Sequence, residues 1–403
     1  MRVQVHESID DFSAANWNRL AGDNPFVRHE FLAALEHSSC VGADTGWQPQ
    51  HLVCTDDSGR LTGVLPLYLK THSWGEFVFD WAWADAYQRA GRRYYPKLAA
   101  AVPFSPVTGP RLLTLAGTDR RAIREALVAQ TVALAANHQA SSVHCLFPEE
   151  TETGDWQRQG FLLRKDCQFH WHNRGYQSFD EYLTALSAEK RKKIKRERRR
   201  VRETGISFQT CRGGDLDAKL LKILYRFYAI TYAKHGHAPY LNPGFFKEIA
   251  RTMPDSLVVN FASLAGEPVA CAVCFRNRDT LYGRHWGCAQ EYPDLHFETC
   301  YYQWIEYCIR EGIGHFDPGA QGEHKLARGF EPTATRSMHY IAEPAFRAAI
   351  ADFLQRETRM MDAYIQAARQ HLPFGHRDGD RRSHDIAAPA LVIRELRKHD
   401  GSR

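Results

Sequence analysis

The sequence predicts an α/β (α+β) protein of two similar domains, each a mixed β-sheet flanked by helices, joined by a strongly basic helix. Three observations carry that expectation. At 403 residues the chain exceeds one ordinary domain. A series of short structural signals occurs twice, in the same order. A run of cationic residues separates the two series.

The first series opens at Asn24-Pro25-Phe26, in NPFVRHEFLAALEHS, and the second at Asn242-Pro243, in NPGFFKEIARTMPDS. Asn before Pro, followed by apolar residues at helical spacing, is an N-cap with proline at the first helical position. A hairpin pattern comes next in each: HLVCTDDSGRLTGVLPLYL from His51, and LVVNFASLAGEPVACAVCF from Leu257. Both place a glycine-containing turn between apolar strands. Each series then has a helix, a short strand ending in proline, and Gly-Phe. The strands are VHCLFP (Val143 to Pro148) and HFDP (His315 to Pro318); the pairs are Gly160-Phe161 and Gly329-Phe330. The first series spans 136 positions from Asn24 to Gly160, the second 87 from Asn242 to Gly329, so the first is longer by 49. Most of the surplus falls between Gly75 and Arg120, a segment without counterpart in the second series.

Between the series, SFDEYLTALSAEKRKKIKRERRRVRETGI (Ser178 to Ile206) reads as one helix. Ser178 and Glu181 form a capping box and Gly205 is the stop. Its apolar stripe is narrow: Tyr182, Leu183, Leu186, Ile194 and Val201. The expected organisation is a first domain over 1–175 with an insert at about 75–120, a basic connecting helix over 176–206, a second domain over 207–345, a C-terminal helix over 346–372, and a mobile tail over 373–403.

Composition excludes several classes. With 44% hydrophobic residues the chain has ample material for buried cores. The N-terminus, MRVQVHESIDDFSAANW, lacks a basic-then-apolar targeting pattern, and no apolar run approaches membrane-spanning length, so a cytoplasmic location is expected. Ten scattered cysteines, mostly in apolar segments, read as reduced buried thiols. Cys271 and Cys274 form a CxxC inside an apparent buried strand, where they point to opposite faces. His296-Phe297-Glu298 has the HxE order of zinc deaminases, but no PCxxC follows, so no metal site is expected. The net charge of +5 is uneven: Glu189 to Glu203 holds ten basic and three acidic residues, +7, which leaves the remainder near −2. Any polyanion contact therefore centres on this run, with Lys190, Arg191, Lys195, Arg198 and Arg199 as candidates. A tRNA, a nucleotide-linked precursor and an anionic membrane face all fit it.

From Leu281 to Tyr340 the order is strand, loop, amphipathic helix, second strand, polar Gly-rich turn, and a last strand begun by Arg-Gly-Phe. This order resembles the acyl-accepting half of a GNAT-type acyltransferase. LHFETCYYQWIEYCIREGIGHFDPGAQGEHKLARGFEPTATRSMH looks like the FemAB-like "peptidoglycan biosynthesis/recognition" group of predicted bacterial N-acyltransferases. WAWADAYQRAGRRYYPKLAAAVPFSPVTGPRLL in the first half is similar to the same group. The resemblance extends from the N-terminal helix to about Leu372. It implies tandem GNAT-like domains and transfer of an acyl or aminoacyl group to an amine, with a cell-wall precursor as one candidate acceptor, in a cleft between the domains. Aminoacyl-tRNA or acyl-CoA would be the co-substrate, with no permanently bound cofactor.

Acyl transfer to an amine needs a neutral amine, a base for its proton and a donor facing the developing oxyanion. The family's Lys-x-x-x-Gly-Phe position falls on Lys325, which the resemblance makes a site residue; without it a solvated turn lysine would be the plainer reading. Arg328, three residues on, either clamps a carboxylate or phosphate bidentately or makes a structural ion pair, for example with Glu331. Glu323 and His324 flank Lys325 and are candidates for proton handling and substrate binding. His296 titrates near neutrality when unperturbed, and Glu298 sits where a helix dipole favours a carboxylate; each has a structural alternative. In the insert, Trp83, Asp85, Tyr87, Arg93, Tyr95 and Lys97 combine aromatic and charged groups suited to a sugar, peptide or nucleotide phosphate, or else form a packed lid. Coenzyme A is demoted as donor, because AQEYPDLHFE has no glycine where a pyrophosphate-gripping loop would lie. The alternatives kept open are an acyl-CoA-dependent N-acyltransferase acting on a small molecule and a non-catalytic module that recognises precursor or RNA. Oligomeric state is not legible.

Overall fold

A computed structural model describes residues 1–234, 236–320 and 322–374. The chain divides into two compact units. The first comprises Met1–Cys167 and Ala334–Tyr364; the second comprises Gln168–Thr333 and residues 365–374.

In the first unit β1 (Arg2–His6), α1 (Ala14–Ala21) and α2 (His29–His37) precede β2 (Trp47–Pro49), β3 (His51–Thr55), β4 (Leu61–Leu65) and β5 (Tyr68–Lys70). Asn24 accepts from the Phe26 N–H as expected, but its cap starts a 3-10 turn over Pro25–Val27 before α2 begins. The insert supplies α3 (Trp81–Arg89), β6 (Lys97–Ala100) and β7 (Leu113–Thr114). Then come α4 (Arg120–Asn137), β8 (Ser142–Leu146), α5 (Thr153–Arg158) and β9 (Leu162–His172). Strands β1-β3-β4-β7 form an antiparallel sheet. Leu52, Leu65, Ile123, Leu127, Val143 and Trp156 belong to its buried core cluster.

The second unit contains α6 (Phe179–Ala185), α7 (Ala188–Glu203), β10 (Ile206–Arg212), α8 (Ala218–Lys234), α9 (Pro243–Thr252), β11 (Leu257–Leu264), β12 (Glu267–Arg276) and β13 (Thr280–Cys288). There follow α10 (Leu295–Phe297), a π-helical turn over Glu298–Tyr302, α11 (Gln303–Glu311), β14 (His315–Asp317) and a 3-10 turn over Glu323–Arg328; β15 (Glu331–Ile341) starts in this unit and crosses into the first, and α12 (Pro344–Gln370) belongs to the first unit up to Tyr364. The strand order of the second unit is β10-β11-β12-β13-β14-β9, antiparallel except for the parallel pair β13·β14. Gly287 on β13 is a packing requirement: a Cβ there would lie 1.9 Å from the Phe227 carbonyl oxygen of α8.

The duplication is visible in how each series ends. Gly160 and Gly329 both turn the chain at positive φ, 80° and 74°, which glycine adopts without strain. Each is followed by an eleven-residue strand, β9 or β15. The far end of β9, from the first series, pairs with β14 of the second. The far end of β15, from the second series, pairs with β8 of the first. The unit boundaries therefore fall inside these strands and not in loops at 175 and 345.

The expected connecting helix is two helices. Leu186 is extended at φ −87° and ψ 156°, ending α6, and Ser187 caps α7. The break buries Leu186 and lets the Ser187 N–H donate to the Pro373 carbonyl at 2.7 Å, while Leu186 bridges to Phe374. Pro373 and Phe374 are thus held in place; the rest of the expected tail, 375–403, lies outside the described residues. None of the described helices is long and apolar enough to cross a membrane.

Candidate functional site

Ligand sites in open α/β sheets favour the carboxyl ends of parallel strands. In the second unit that position is where β13 and β14 part. The register pairs Val273 with His285 but Cys274 with Gly283, so Arg284 is the extra residue of a β-bulge. Bulges re-aim side chains. Arg284 is buried and donates to Asp317 Oδ2 at 2.6 Å, tying the end of β13 to the end of β14. Asp317 Oδ1 accepts the Gly319 N–H at 2.8 Å. Burial would raise the Asp317 carboxyl, but Arg284 and His170 hold it well below the usual range.

Lys325 faces this junction from the 3-10 turn, which Gly322 and Gly329 bracket at φ 112° and 74°. It is 2% exposed, and its Nζ donates to the Gly319 carbonyl at 2.8 Å. Gly319 therefore links lysine and aspartate through its two backbone groups. Burial pushes the Lys325 ammonium down to about 8, with Asp317 opposing the fall. It is a poorly solvated cation near its titration point, suited to meeting developing negative charge.

Arg328, on the same turn, is engaged on every side. Its guanidinium contacts both Glu197 oxygens at 3.0 and 2.9 Å, Tyr302 Oη at 2.7 Å and the His324 carbonyl at 2.8 Å, and lies 3.5 Å from the Phe297 ring centroid. Tyr302 also donates to Glu197. Of the two readings open for Arg328, the structure has the ion pair, with Glu197 of α7 in place of Glu331. Glu298, in the π-helical turn, accepts from Arg198 Nε at 3.1 and 3.2 Å and from Gln303 at 2.7 Å. A carboxylate so occupied is an anchor for α7, and taking up a substrate proton would break that contact.

His324 and His296 sit in an aromatic group with Trp286, Phe297 and Tyr301. The His324 Nε2 and Tyr301 Oη are 2.8 Å apart. Burial lowers both histidines to about 4, assisted by the charges of Lys325 and Arg328. They are neutral at pH 7 and available as proton acceptors. Glu323 is half-buried in the first turn of the same 3-10 segment.

The sequence matches the model of a family described as FemAB-like, peptidoglycan biosynthesis/recognition, over residues 8–376. The chain belongs to the FemAB-like family. No curated protein sequence matches it. Among solved structures, FemX aligns over 87% of this chain and 100% of its own at 11% identity and TM-score 0.51. The C-terminal domain of a putative lysylphosphatidylglycerol synthetase from Agrobacterium fabrum aligns over 85% of this chain and 96% of its own, at 11% identity and TM-score 0.52. A conserved protein from Bacteroides thetaiotaomicron covers 85% and 100%, at 10% identity and TM-score 0.50. The fold of this FemAB-like protein is tandem GNAT-like.

The other residues expected in a site are distributed differently in the FemAB-like chain. Trp83 and Tyr87 are buried, Trp83 against His339 and Tyr87 stacked 3.9 Å from Phe346. Tyr95 Oη is 2.9 Å from Ser73 Oγ. Lys97 is buried, with Ser73 and Glu76 at 2.8 Å and Asp80 at 2.5 Å. Burial would lower its ammonium, but Asp80 and Glu76 raise it above the ordinary value. Lys70, close by, is pushed down to about 6 by burial. These side chains hold the insert to its own unit, so for Trp83, Tyr87 and Lys97 the structure has the packed arrangement of the two readings left open. Asp85 pairs with Arg89 at 2.9 Å on the surface, and Arg93 is exposed.

Helix α7 has two faces. Ile194, Glu197 and Val201 are buried, and Arg198 turns inward to Glu298 and Glu306, so Arg198 is not a surface contact. Arg191, Lys192, Lys195, Arg196 and Arg199, with Ala188, line a surface hollow of about 340 Å³. Lys190 lies 2.9 Å from Glu189, Lys195 3.8 Å from Asp180 and Arg199 3.6 Å from Glu203. Among the described residues no group of three His, Cys, Asp or Glu could hold a metal.

Sequence reasoning missed Arg284, Asp317 and Glu197. A bulge is a register property and leaves no mark in one strand's sequence. Glu197 did leave a signal: it falls between Ile194 and Val201 on the apolar stripe, where a lone acid in a basic run calls for a buried partner.

Proposed function

We propose that this protein is an N-acyltransferase that moves an aminoacyl group from a charged tRNA to the amine of a cell-wall precursor. Family membership supports the coarse activity. The observation that carries the reading is Lys325, a buried ammonium with depressed proton affinity at the parting of β13 and β14. As the amine attacks the ester carbonyl, the Lys325 N–H groups stabilise the tetrahedral oxyanion. A neutral His324 or His296 accepts the amine proton. The same histidine then returns that proton to the leaving ribose oxygen, so free amine and ester give amide and alcohol. The basic face of α7 holds the phosphates of the donor.

The electrostatics at the start of α10 favour this donor over coenzyme A. Where a pyrophosphate would approach the helix N-terminus stand Asp294 and Glu298, occupied by Arg200 at 3.2 Å and by Arg198. An incoming diphosphate would meet two carboxylates. The test supplies tRNA charged with ¹⁴C-labelled amino acids and a UDP-linked muramyl pentapeptide. Transfer by the wild type, with loss of at least about 100-fold in Lys325→Met at unchanged tRNA affinity, supports the proposal. A Lys325→Met variant as active as wild type refutes it.

A further inference from the structure

Among the described residues the exposed large apolar side chains are Met1, Trp74 at 47%, Phe79 at 39% and Met360 at 41%. All but Met1 gather at one end of the α3–α12 pair in the first unit. Trp74 lies against half-buried Trp81 at the start of α3, ring centroids 4.9 Å apart. The Phe79 carbonyl accepts from Arg164 at 2.5 Å, and the same guanidinium grips Glu357 of α12 through two contacts of 2.8 Å. Met360 stands one turn beyond Glu357, hence beside it on the helix surface. At the opposite end Tyr87, in the last turn of α3, stacks on Phe346 in the first turn of α12. The two helices therefore run in opposite directions, which brings the start of α3 to the Glu357–Met360 end.

The loop that presents these rings is fastened from within. Glu76 and Asp80 point inward to Lys97 at 2.8 and 2.5 Å. The Trp74 carbonyl accepts from Trp47 Nε1 at 3.1 Å and from Lys70 Nζ at 3.3 Å, and the Gly75 carbonyl accepts the Phe104 N–H at 3.2 Å. Phe77 holds φ 61°, a strained value for a residue with a Cβ. Acids inside and aromatic rings outside reverse the ordinary sorting of side chains, and a fixed apolar patch of this kind marks a contact surface. Its rim is cationic. Exposed Asp85, Asp352 and Asp362 are paired with Arg89, Arg356 and Lys165 at 2.9, 3.0 and 2.8 Å. Exposed Arg92, Arg93 and Arg359 have no carboxylate partner among the described residues, and Glu343 before α12 offsets only one of them. We propose that this patch docks the first unit on an anionic phospholipid bilayer, with Trp74, Phe79, Trp81 and Met360 entering the interfacial layer and the three arginines meeting lipid phosphates. Indole rings settle at the headgroup level, and cations beside them favour an anionic leaflet. The arginines decide the partner: a phosphate surface answers the whole rim at once, whereas an apolar protein face would leave it unmatched.

This inference stands apart from the acyl-transfer reading, because its residues lie in the first unit and its readout is lipid binding. The full chain is sedimented with vesicles of phosphatidylcholine, alone or mixed equally with phosphatidylglycerol. Wild type should bind the mixed vesicles. Binding should fall at least about tenfold in Trp74→Ser/Phe79→Ser. In Arg92→Gln/Arg93→Gln/Arg359→Gln it should weaken and lose salt sensitivity. Mixed vesicles with brominated acyl chains should quench the tryptophan emission of wild type, and that of Trp74→Phe/Trp81→Phe far less. The phenylalanine pair keeps the rings, so this arm decides the matter even if the serine variant folds poorly. No wild-type binding, no preference for phosphatidylglycerol, or equal binding by a folded serine variant overturns the proposal. Binding without quenching also overturns it and moves the contact to the basic face of α7. Self-association of wild type that the serine variant abolishes, seen by light scattering, overturns it in favour of a second copy.

Discussion

Replacing Glu197 with alanine tests whether the basic helix is fastened to the site turn by a buried ion pair. Arg328 and Glu197 have side chains only 3% and 5% exposed, and the guanidinium makes two of its four hydrogen-bond contacts to this carboxylate. Glu197→Ala leaves the cation buried with only neutral partners. Removing one member of a buried pair costs about 3–5 kcal/mol, because the remaining charge has lost its compensation. Arg328→Met has a related effect, lessened because the Tyr302 hydroxyl still donates to Glu197. The double variant should lose considerably less than the sum of the two single losses, with a coupling energy of about 2–3 kcal/mol. Urea unfolding followed by circular dichroism measures all three, and amide exchange over α7 reports whether the loss is local. Single losses below about 1 kcal/mol, or strict additivity, would refute the claim that this pair docks the helix. It would also return Arg328 to the role of a substrate clamp.

Lys325 carries a prediction of opposite sign. The unfolded chain holds its proton up to the ordinary 10.5 and the folded protein only to about 8. The unfolded state therefore binds more protons between those values, so stability rises with pH from about 8 to about 10.5. At about 1.4 kcal/mol per tenfold change in proton affinity, the buried ammonium costs on the order of 3 kcal/mol at pH 7. Lys325→Met should raise the denaturation midpoint at pH 7 while abolishing transfer, and wild-type transfer should decline above about pH 8 as the ammonium is lost. Neutralising Lys192, Lys195 and Arg196 together should weaken tRNA binding and flatten its logarithmic salt dependence by about 2–3, measured by filter binding; an unchanged slope counts against the polyanion face. Gly287→Ala should destabilise by about 3 kcal/mol in urea titration, because its Cβ would overlap the Phe227 carbonyl. Coenzyme A at millimolar concentration should not shift the melting temperature; a saturable shift would reverse the ranking of donors.

Much of this molecule was legible in one dimension because local chemistry decided it. Asn-Pro caps, hairpin turns, Gly-Phe transitions and apolar periodicity are written over a few residues each, and their repetition in order announced two α/β halves. The Lys-x-x-x-Gly-Phe position of Lys325 and the charge density of α7 were also legible in the sequence. What the sequence could not express was partnership over long separation. The exchange of β9 and β15 between series, the bulge that turns Arg284 onto Asp317, and the burial of Trp83, Tyr87 and Lys97 within the insert all depend on which surfaces meet. Ser187 reads as one more helical residue until the 373–374 segment pairs with it. The same holds for protonation: Lys325 and the histidines are ordinary side chains in the sequence, and burial beside other charges makes them unusual. Local propensity and pattern come from neighbours along the chain; desolvation and charge pairing come from neighbours in space, and only the folded structure supplies those.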